Sequence, residues 1–294
     1  MLRDIMLVLK GHLRAIGRRP IASSSTIGSA VQEDLIMDVG MHVGNDTTFY
    51  LSKGFRVVAI EADPTLVCRA RHAFTEPLSQ GRLTIIEGAI AEKTGTTTFY
   101  ANRYKDDWGS TDQAFARRNE LLGAPGTQIK VAAVTFDQIL NAYGTPYYLK
   151  IDIEGKDHLC LEALRHCGRR PRYISIEMDA TSFDAAFSDF SALWELGYRR
   201  FKIVNQALNH TVTCPWPARE GTYVPARFDG ASSGPFGEET PGPWVSIWDA
   251  LATAKRAVDE QPIYGTPNSP TLAELERRHL TGDPVCWYDI HAAR

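Results

Sequence analysis

The chain has 294 residues, enough for one large domain or for one domain with an extension. Its hydrophobic content of 44% and charged content of 23% are typical of a soluble globular protein. The net charge of −3 and the lack of a basic stripe exclude a typical nucleic-acid-binding domain. The five cysteines are odd in number and include no C-x-x-C pair. They therefore predict neither a zinc site nor a disulfide framework, and they favour the reducing cytoplasm.

The first twenty residues carry apolar side chains interrupted by arginine and lysine. This pattern lacks the uninterrupted core of a signal peptide or membrane span and predicts a basic amphipathic helix. Packing against its own domain is the simpler role of such a helix, and contact with a membrane surface is the alternative. Residues 23–26 are a serine-rich linker, so residues 1–30 form an N-terminal extension.

Residues 35–63, LIMDVGMHVGNDTTFYLSKGFRVVAIEAD, are the most informative stretch of the chain. An apolar strand ends at Asp38-Val39-Gly40, a turn runs to Gly44, a helix opens at Asn45, and a second strand ends at Glu61. This is the layout of a nucleoside-binding crevice in a doubly wound α/β sheet. The carboxylate at the tip of the second strand is placed to bind both ribose hydroxyls.

The glycine pattern of the first turn distinguishes between nucleosides. A dinucleotide fingerprint, G-x-G-x-x-G, would fall on Gly40, His42 and Asn45, so two of its three glycines are missing. The D-x-G-x-x-x-G spacing fits S-adenosylmethionine better, because that ligand has no phosphate and its cationic groups suit an acid such as Asp38. A nicotinamide oxidoreductase and a plain packing turn are the alternatives.

The next elements alternate between strand and helix. Asp63 caps a helix that begins at Pro64 and ends near Phe74. A third strand over 83–87 leads to Gly88-Ala89, and strands over 96–101 and 128–134 frame an insertion.

The second half of the core continues the alternation. Its elements are a helix opened by the Thr135-x-x-Gln138 capping box, a strand over 147–153, a helix over 156–167, a strand over 172–178, a helix over 183–196 and a strand over 201–204. The pattern predicts a Rossmann-like α/β fold: a doubly wound, mostly parallel sheet with helices on both faces, over residues 31–205.

Residues 206–294 have a different composition. Residues 205–244 are rich in proline and glycine yet contain five aromatic side chains, which predicts a structured lid loop and not a disordered linker. Helices over about 245–258 and 271–279 and a short tail follow. We predict that this region caps the substrate.

Acidic residues stand at the predicted carboxyl ends of the strands, where ligands bind in an open α/β sheet. They are Asp38, Glu61, Glu87, Asp152 with Glu154, and Glu177. Lys150 lies inside the fourth strand, where an unpaired charge is costly, and Glu177 is its expected partner.

Residues 148–155, YLKIDIEG, resemble the K-I-D-x-E-G signature of the FkbM-type methyltransferases. Thr135-Phe136-Asp137 is similar to their T-x-D element, and Ile174–Glu177 to the strand that follows. The resemblance covers about residues 33–205 and departs at Met41-His42, where smaller residues and Asn are usual. It implies a class I methyltransferase that uses S-adenosylmethionine to methylate a hydroxyl, often of a sugar or polyketide.

These arguments give a set of site residues. The predicted cofactor-binding residues are Asp38, Gly40, His42, Gly44, Asn45, Glu61, Ala62, Asp63, Glu87, Gly88, Ala89, Lys150 and Asp152. The predicted catalytic bases are Asp152, Glu154 and His210, since a hydroxyl needs a base to attack a methyl group. Trp108, Ser110 and Glu177 are predicted to bind the substrate.

We predict no metal site, although Asp152, Glu154, Asp157 and His158 have side chains of the type that binds a divalent ion. The expected partner is a small-molecule hydroxyl acceptor. Protein methylation stays open as a possibility, and so does the formation of a homo-oligomer. A methyltransferase-like binding or scaffold protein without activity is the alternative function.

Overall fold

The computed structural model of the chain describes residues 30–229, 232–260, 274, 277 and 287–294. The predicted helix over residues 1–20, the linker over 23–26 and, apart from residues 274 and 277, the predicted helix over 271–279 lie outside these residues.

A seven-stranded sheet forms the centre of the fold. Its strands are β1 (Val31–Val39), β2 (Arg56–Glu61), β3 (Leu83–Glu87), β7 (Thr145–Ile151), β8 (Tyr173–Glu177), β9 (Arg200–Asn205) and β10 (Tyr288–Ala293). The strand order is β3-β2-β1-β7-β8-β10-β9. The paired strands run parallel except at β10, which is antiparallel to both β8 and β9. The predicted doubly wound, mostly parallel α/β sheet is confirmed.

Helices alternate with the strands, as the sequence predicted. They are α1 (Asn45–Ser52), α2 (Pro64–Ala73), α3 (Thr75–Ser79), α4 (Gln113–Leu121), α5 (Phe136–Tyr143), α6 (Asp157–Cys167), α7 (Phe183–Glu195) and α8 (Ile247–Glu260). Side chains of α5, α6, α7 and α8 pack in one apolar cluster with the sheet, and side chains of α1 and α2 pack in another. The sheet is therefore covered on both faces.

Local signals read from the sequence position two of these helices. The Asp63 carboxylate accepts the Thr65 backbone N–H at 2.7 Å, and Pro64 follows as the first helical residue. The Thr135 side chain accepts the Gln138 backbone N–H at the start of α5. Both predicted helix starts are confirmed.

A small sheet carries the insertion between β3 and β7. Its strands are β4 (Ala89–Ile90), β5 (Gly95–Asn102) and β6 (Gly126–Val134), in the order β4-β6-β5. The antiparallel β5 and β6 hold between them a 3-10 turn (Asp106–Trp108) and α4. We call residues 103–121 the cap segment, because they reach across the carboxyl ends of the main sheet.

The described residues of the proline- and glycine-rich segment, 206–229 and 232–244, pack against one face of the sheet. Phe236 is fully buried and stacks on Tyr148 of β7, with ring centroids 4.9 Å apart and planes at 12°. Lys53 and Glu239 form an ion pair at 2.7 Å with both side chains fully buried. Phe228 and Phe236 of this segment are core residues, whereas Trp216 and Tyr223 are exposed.

Strand β10 is an element that the sequence analysis did not predict. It comes from the predicted capping extension, yet it lies inside the main sheet between β8 and β9. Residues 288–293 therefore pack with the core over 31–205. The missed signal is the alternation of Asp289 and His291 with Ile290 and Ala292, which is typical of a strand.

Among the residues that the structure describes, no helix combines the length and the apolar composition that a membrane span requires. Cys68, Cys160, Cys167 and Cys214 are free thiols.

Candidate functional site

The first turn of the crevice lies between β1 and α1 and requires glycine for packing. Gly40 has φ of +89°, and a Cβ atom there would lie 1.8 Å from the Asp152 carbonyl oxygen. Gly44 has φ of +88°, and its Cβ would lie 2.6 Å from the Phe74 ring. Both glycines are therefore required by the close approach of neighbouring protein atoms and by left-handed backbone.

Glu61 is held at the tip of β2 by two backbone amides. The N–H of His42 and the N–H of Asp63 each donate to one of its carboxylate oxygens at 2.8 Å. Burial raises the pKa of Glu61, and the two amide donors act in the opposite direction. The carboxylate predicted to bind ribose is thus oriented before any ligand arrives.

His42 positions Glu61 through its backbone N–H, whereas its imidazole ring contacts the cap segment. Its φ of +53° turns its N–H toward Glu61, while its Nε2 lies 3.0 Å from Asp106 Oδ1 in the cap segment. The departure from the family pattern at His42 therefore links the first turn to the cap segment.

The remaining predicted cofactor residues differ in exposure. Asp63 is 3% exposed and accepts a hydrogen bond from Arg103 of the cap segment at 2.9 Å. Glu87 is exposed and pairs with Arg71 at 2.8 Å. Among the other predicted residues, Ala62 is half-buried and Ala89 is buried. Asn45 is exposed and is the first residue of α1.

Gly88 links the tips of β2 and β3. Its N–H donates to the Glu61 carbonyl at 2.9 Å, and Glu87 lies beside Glu61 in the strand register. The predicted residues at the ends of β1, β2 and β3 are thereby brought to one edge of the sheet.

Lys150 is the central cation of the site. It is 4% exposed, and its Nζ donates to the Gly40 carbonyl at 2.9 Å. Three carboxylates surround it: Asp38 at 3.4 Å, Asp46 at 3.7 Å and Asp152 at 3.4 Å. Burial alone lowers the pKa of Lys150, but these acids hold it well above its usual value.

The expected pairing of Lys150 with Glu177 is wrong. Lys150 lies directly opposite Asp38 in the register of β7 and β1. Its ammonium group therefore pairs with Asp38 of β1 and not with Glu177 at the end of β8. Burial raises the pKa of Asp38, whose Oδ2 accepts a hydrogen bond from Thr47 at 2.6 Å. Its Oδ1 is buried and makes no hydrogen bond within the described residues, although Lys150 Nζ lies 3.4 Å from it.

Three carboxylates meet at the carboxyl ends of β7 and β8. Oxygens of Asp152, Glu154 and Glu177 all lie within 4.8 Å of one another. Burial, followed by the charges of neighbouring acids, raises the pKa of Glu177 to about 8 and that of Glu154 well above its usual value. No described residue donates a hydrogen bond to the side chain of Glu154 or Glu177. We call these three residues the carboxylate cluster.

Asp289 on β10 is a further acid of the site that sequence reasoning missed. It lies directly opposite Glu177 in the register of β10 and β8, and its side chain is 9% exposed. Burial, together with the charges of Asp152 and Glu177, raises its pKa well above the usual value.

The cap segment is fastened to the end of β7. The Ser110 hydroxyl donates to the Glu154 carbonyl at 2.6 Å, and Asp112 pairs with Lys156 at 2.7 Å. Glu154 itself has φ of +52°, in the left-handed region that a non-glycine residue rarely adopts. The cap segment thus holds the backbone that presents the Glu154 side chain.

Cations cover the predicted substrate residue Trp108. Lys105 lies 5.6 Å and Arg118 lies 5.3 Å from the centre of its ring. The charge of Arg118 partly opposes the rise in the pKa values of Glu154 and Glu177. Ser110 thus contacts the backbone of Glu154, and Arg118 lies over Trp108 while its charge acts on the carboxylate cluster. The roles of Trp108, Ser110 and Glu177 in substrate binding stay predictions.

His210 is separate from this group. It is exposed in a 3-10 turn (Gln206–Thr211), and its Nδ1 lies 3.0 Å from the Ala207 carbonyl. No hydrogen bond or ion pair between described residues connects it to Asp152 or Glu154. Of the alternative metal ligands, Asp157 accepts the Ile153 N–H at 3.0 Å and His158 is exposed.

Residues 38–201 match the Methyltransferase FkbM domain, a match that spans more than half of the chain. The chain belongs to the FkbM methyltransferase family. It is therefore a methyltransferase, and the prediction of S-adenosylmethionine as its cofactor is confirmed. The FkbM signature over residues 148–155 coincides with β7 and the carboxylates that follow it.

Solved structures give more distant likenesses. The precorrin-6y C5,15-methyltransferase from Geobacter metallireducens is 12% identical, with 60% of this chain and 69% of that chain covered and a TM-score of 0.34. A SAM-dependent methyltransferase from Archaeoglobus fulgidus is 8% identical, with 100% and 95% covered and a TM-score of 0.35. The O-methyltransferase from Bacillus cereus in complex with SAH is 16% identical, with 58% and 67% covered and a TM-score of 0.31. No curated protein matches the sequence.

The residues of this FkbM domain fit the cofactor of the family. Glu61 is oriented toward the crevice edge by two amides, and each of its oxygens has a lone pair left for a ribose hydroxyl. Asp38 Oδ1 is buried and faces Lys150 Nζ at 3.4 Å without a hydrogen bond among the described residues. The surrounding excess of carboxylates suits a ligand with a sulfonium and an ammonium group. This fit rests on the donor set and not on the glycines, whose role is packing.

Proposed function

We propose that this FkbM methyltransferase transfers the methyl group of S-adenosylmethionine to a hydroxyl oxygen of a small molecule of sugar or polyketide type. The observation that carries the proposal is the carboxylate cluster at the ends of β7 and β8, next to the first turn. Carboxylates are suitable bases for a hydroxyl nucleophile. The acceptor class itself follows from the sequence resemblance.

For the cofactor, we assign the binding groups to the β1 and β2 half of the crevice. Glu61 would accept hydrogen bonds from the ribose hydroxyls, since each of its oxygens has a lone pair left after binding one amide. Asp38 and Asp152 would face the cationic groups of S-adenosylmethionine. Lys150 fixes both carboxylates and the Gly40 carbonyl in place.

For the acceptor, we assign the base to Asp152 or Glu154. S-adenosylmethionine would supply the methyl group: the hydroxyl oxygen would bond to the methyl carbon while the carbon–sulfur bond breaks with its electron pair kept by sulfur. Asp152 or Glu154 would take the hydroxyl proton, and the products would be the methyl ether and S-adenosylhomocysteine. Most of the acceleration would come from holding the oxygen in line with the sulfur.

The exposed and separate position of His210 gives it no support as the base. The free thiols of the described cysteines support a cytoplasmic location. Contact of residues 1–20 with a membrane surface and formation of a homo-oligomer stay predictions.

The proposal is tested first by calorimetric titration of the full chain with S-adenosylmethionine, S-adenosylhomocysteine and NAD. We expect binding of the two sulfur nucleosides, no binding of NAD, and loss of binding in Glu61→Ala. Glu92→Ala is the matched control, because Glu92 is exposed and lies outside the crevice. Failure of the folded protein to bind either sulfur nucleoside would contradict the proposal.

The acceptor is then sought by transfer of a radiolabelled methyl group to panels of sugars and polyketide alcohols. We expect Glu154→Gln to lower kcat while the affinity for S-adenosylhomocysteine is retained. Binding of the cofactor without transfer to any hydroxyl compound would instead favour the inactive binding protein.

A further inference from the structure

The carboxylate cluster has the dimensions of a cation site. Its three oxygens lie within 4.8 Å of one another. A point therefore exists that is at most about 2.8 Å from all three, a few tenths of an ångström beyond the ~2.3–2.6 Å bonds of Ca²⁺. Small side-chain movements would bring Asp152, Glu154 and Glu177 within bonding distance of a single ion. An acidic cluster alone does not establish a site, because repelling carboxylates are also stabilised by binding protons.

Asp289 gives a second and independent observation. In the antiparallel register it lies opposite Glu177, so its side chain is on the same face of the sheet and beside the cluster. It is 9% exposed, and its side chain forms no hydrogen bond or ion pair with any residue that the structure describes, although the charge of Lys150 acts on it from a longer distance. A buried carboxylate without a partner is costly, so this position favours a cation nearby.

The cations already near the cluster do not fill this role. Lys150 is shared between Asp38, Asp46 and Asp152, which leaves Glu154 and Glu177 unpaired. Arg118 is held over the rings of Trp108 and Phe115, at 5.3 and 4.5 Å. Within the described chain, its guanidinium makes no ion pair with Glu154 or Glu177.

We propose that Asp152, Glu154 and Glu177 bind one divalent cation, with Asp289 reaching the ion through water. An oxygen-only donor set selects a hard ion such as Mg²⁺, Mn²⁺ or Ca²⁺. The proposal departs from the sequence-based expectation of no metal site. Its catalytic role rests on the proposed function: the ion binds the acceptor hydroxyl and makes its proton easier to remove.

The test is a calorimetric titration of the full chain with MnCl₂, after treatment with EDTA and removal of the chelator. We expect one saturable site that Glu177→Gln and Glu154→Gln each weaken by at least about tenfold, and Asp289→Asn by about tenfold. Glu162→Gln is the matched control, because Glu162 is an exposed glutamate on α6. It should bind Mn²⁺ like the parent chain.

Thermal unfolding separates loss of the site from loss of the fold. Without metal, Glu177→Gln should give a cooperative thermal transition like that of the parent, which shows that the variant is folded. With MnCl₂, the parent and the Glu162→Gln control should gain more stability than Glu177→Gln.

Two results would overturn the proposal. The first is that the folded parent chain shows no saturable binding of Mn²⁺ or Mg²⁺ up to about 10 mM, which is well above the dissociation constants of weak protein calcium sites. The second is that the parent, Glu177→Gln and Glu154→Gln bind the ion equally well. The titration contains neither S-adenosylmethionine nor an acceptor. Failure of the methyl-transfer proposal would therefore leave this result unchanged.

Discussion

The two halves of the crevice differ in how their charges are satisfied. At the ends of β1 and β2, Glu61 accepts two backbone amides and Lys150 neutralises several acids at once. At the ends of β7 and β8, Glu154 and Glu177 lie together without side-chain hydrogen-bond donors among the described residues, and Asp152 beside them has a share of Lys150. The first half is thus preorganised by the protein alone, whereas the second requires a proton, a ligand or an ion.

The largest effect is expected from Lys150→Met. It leaves Asp38 and Asp46 buried without their cation, which typically costs about 3–5 kcal/mol. Urea unfolding measures the loss. Lys156→Met is the control, because the Lys156–Asp112 pair is partly exposed and should cost about 1 kcal/mol or less. Equal losses of unfolding free energy in Lys150→Met and Lys156→Met would show that the ion pairs of Lys150 stabilise the fold no more than a partly exposed pair.

A somewhat smaller effect is expected from Asp46→Asn, and it depends on pH. Burial raises the pKa of Asp46 from 3.8 to about 6. Between these values the unfolded chain is ionised while the folded chain keeps its proton, so stability falls as pH rises from about 4 to 6. The loss is at most about 1.4 kcal/mol per pH unit.

Asp46→Asn should flatten this part of the profile, which unfolding curves at a series of pH values measure. An unchanged slope in the variant would assign the titration to the other half of the crevice.

Glu61→Gln tests the preorganised carboxylate. Its amide group has one acceptor oxygen, so it cannot accept the N–H groups of both His42 and Asp63 and also bind ribose. Loss of hydrogen bonds to a charged group costs about 1.5–3 kcal/mol, which is roughly 10- to 150-fold in affinity for S-adenosylhomocysteine. Calorimetry measures the affinity, with Glu92→Gln as the control. An affinity within twofold of the parent would contradict this role.

Ser110→Ala should act on the acceptor half only. It removes the bond from the buried Ser110 hydroxyl to the Glu154 carbonyl, with an expected cost of about 1–3 kcal/mol. The Glu154 side chain is then less well held, so kcat should fall while the affinity for S-adenosylhomocysteine is kept. A change in affinity equal to the change in kcat would mean that the cap segment supports both halves.

The smallest effect is expected from Asp106→Asn. The Asp106–His42 pair is partly exposed, so its loss should cost less than about 1 kcal/mol. Affinity for S-adenosylhomocysteine should change by less than about threefold, because the His42 backbone still holds Glu61. A larger loss would indicate that the cap segment also orders the first turn.

Local signals in the sequence predicted most of the fold. Asp63 and Thr135 mark helix starts through their capping chemistry, and apolar runs mark β1, β2 and β7. The carboxyl ends of parallel strands meet at one edge, so the acids at those ends could be grouped from the sequence.

Features that depend on strand register were not predictable in this way. Lys150 pairs with Asp38 because β7 lies beside β1 in a particular register, which no local pattern specifies. The position of β10 also requires the order of the strands, so Asp289 was missed. Position 40 requires glycine because a Cβ atom there would overlap the Asp152 carbonyl oxygen, and Asp152 comes more than a hundred residues later in the chain.

The position of β10 has a consequence for the order in which the sheet is completed during synthesis. β10 is the strand that joins β9 to the rest of the sheet, and more than eighty residues separate the two strands in the chain. Until residues 288–293 leave the ribosome, β9 lacks this neighbour and β8 has one free edge. Such distant pairings slow folding and leave a strand edge exposed to other chains. Asp289 arrives with the same strand, so the acidic crevice is completed only when the sheet closes.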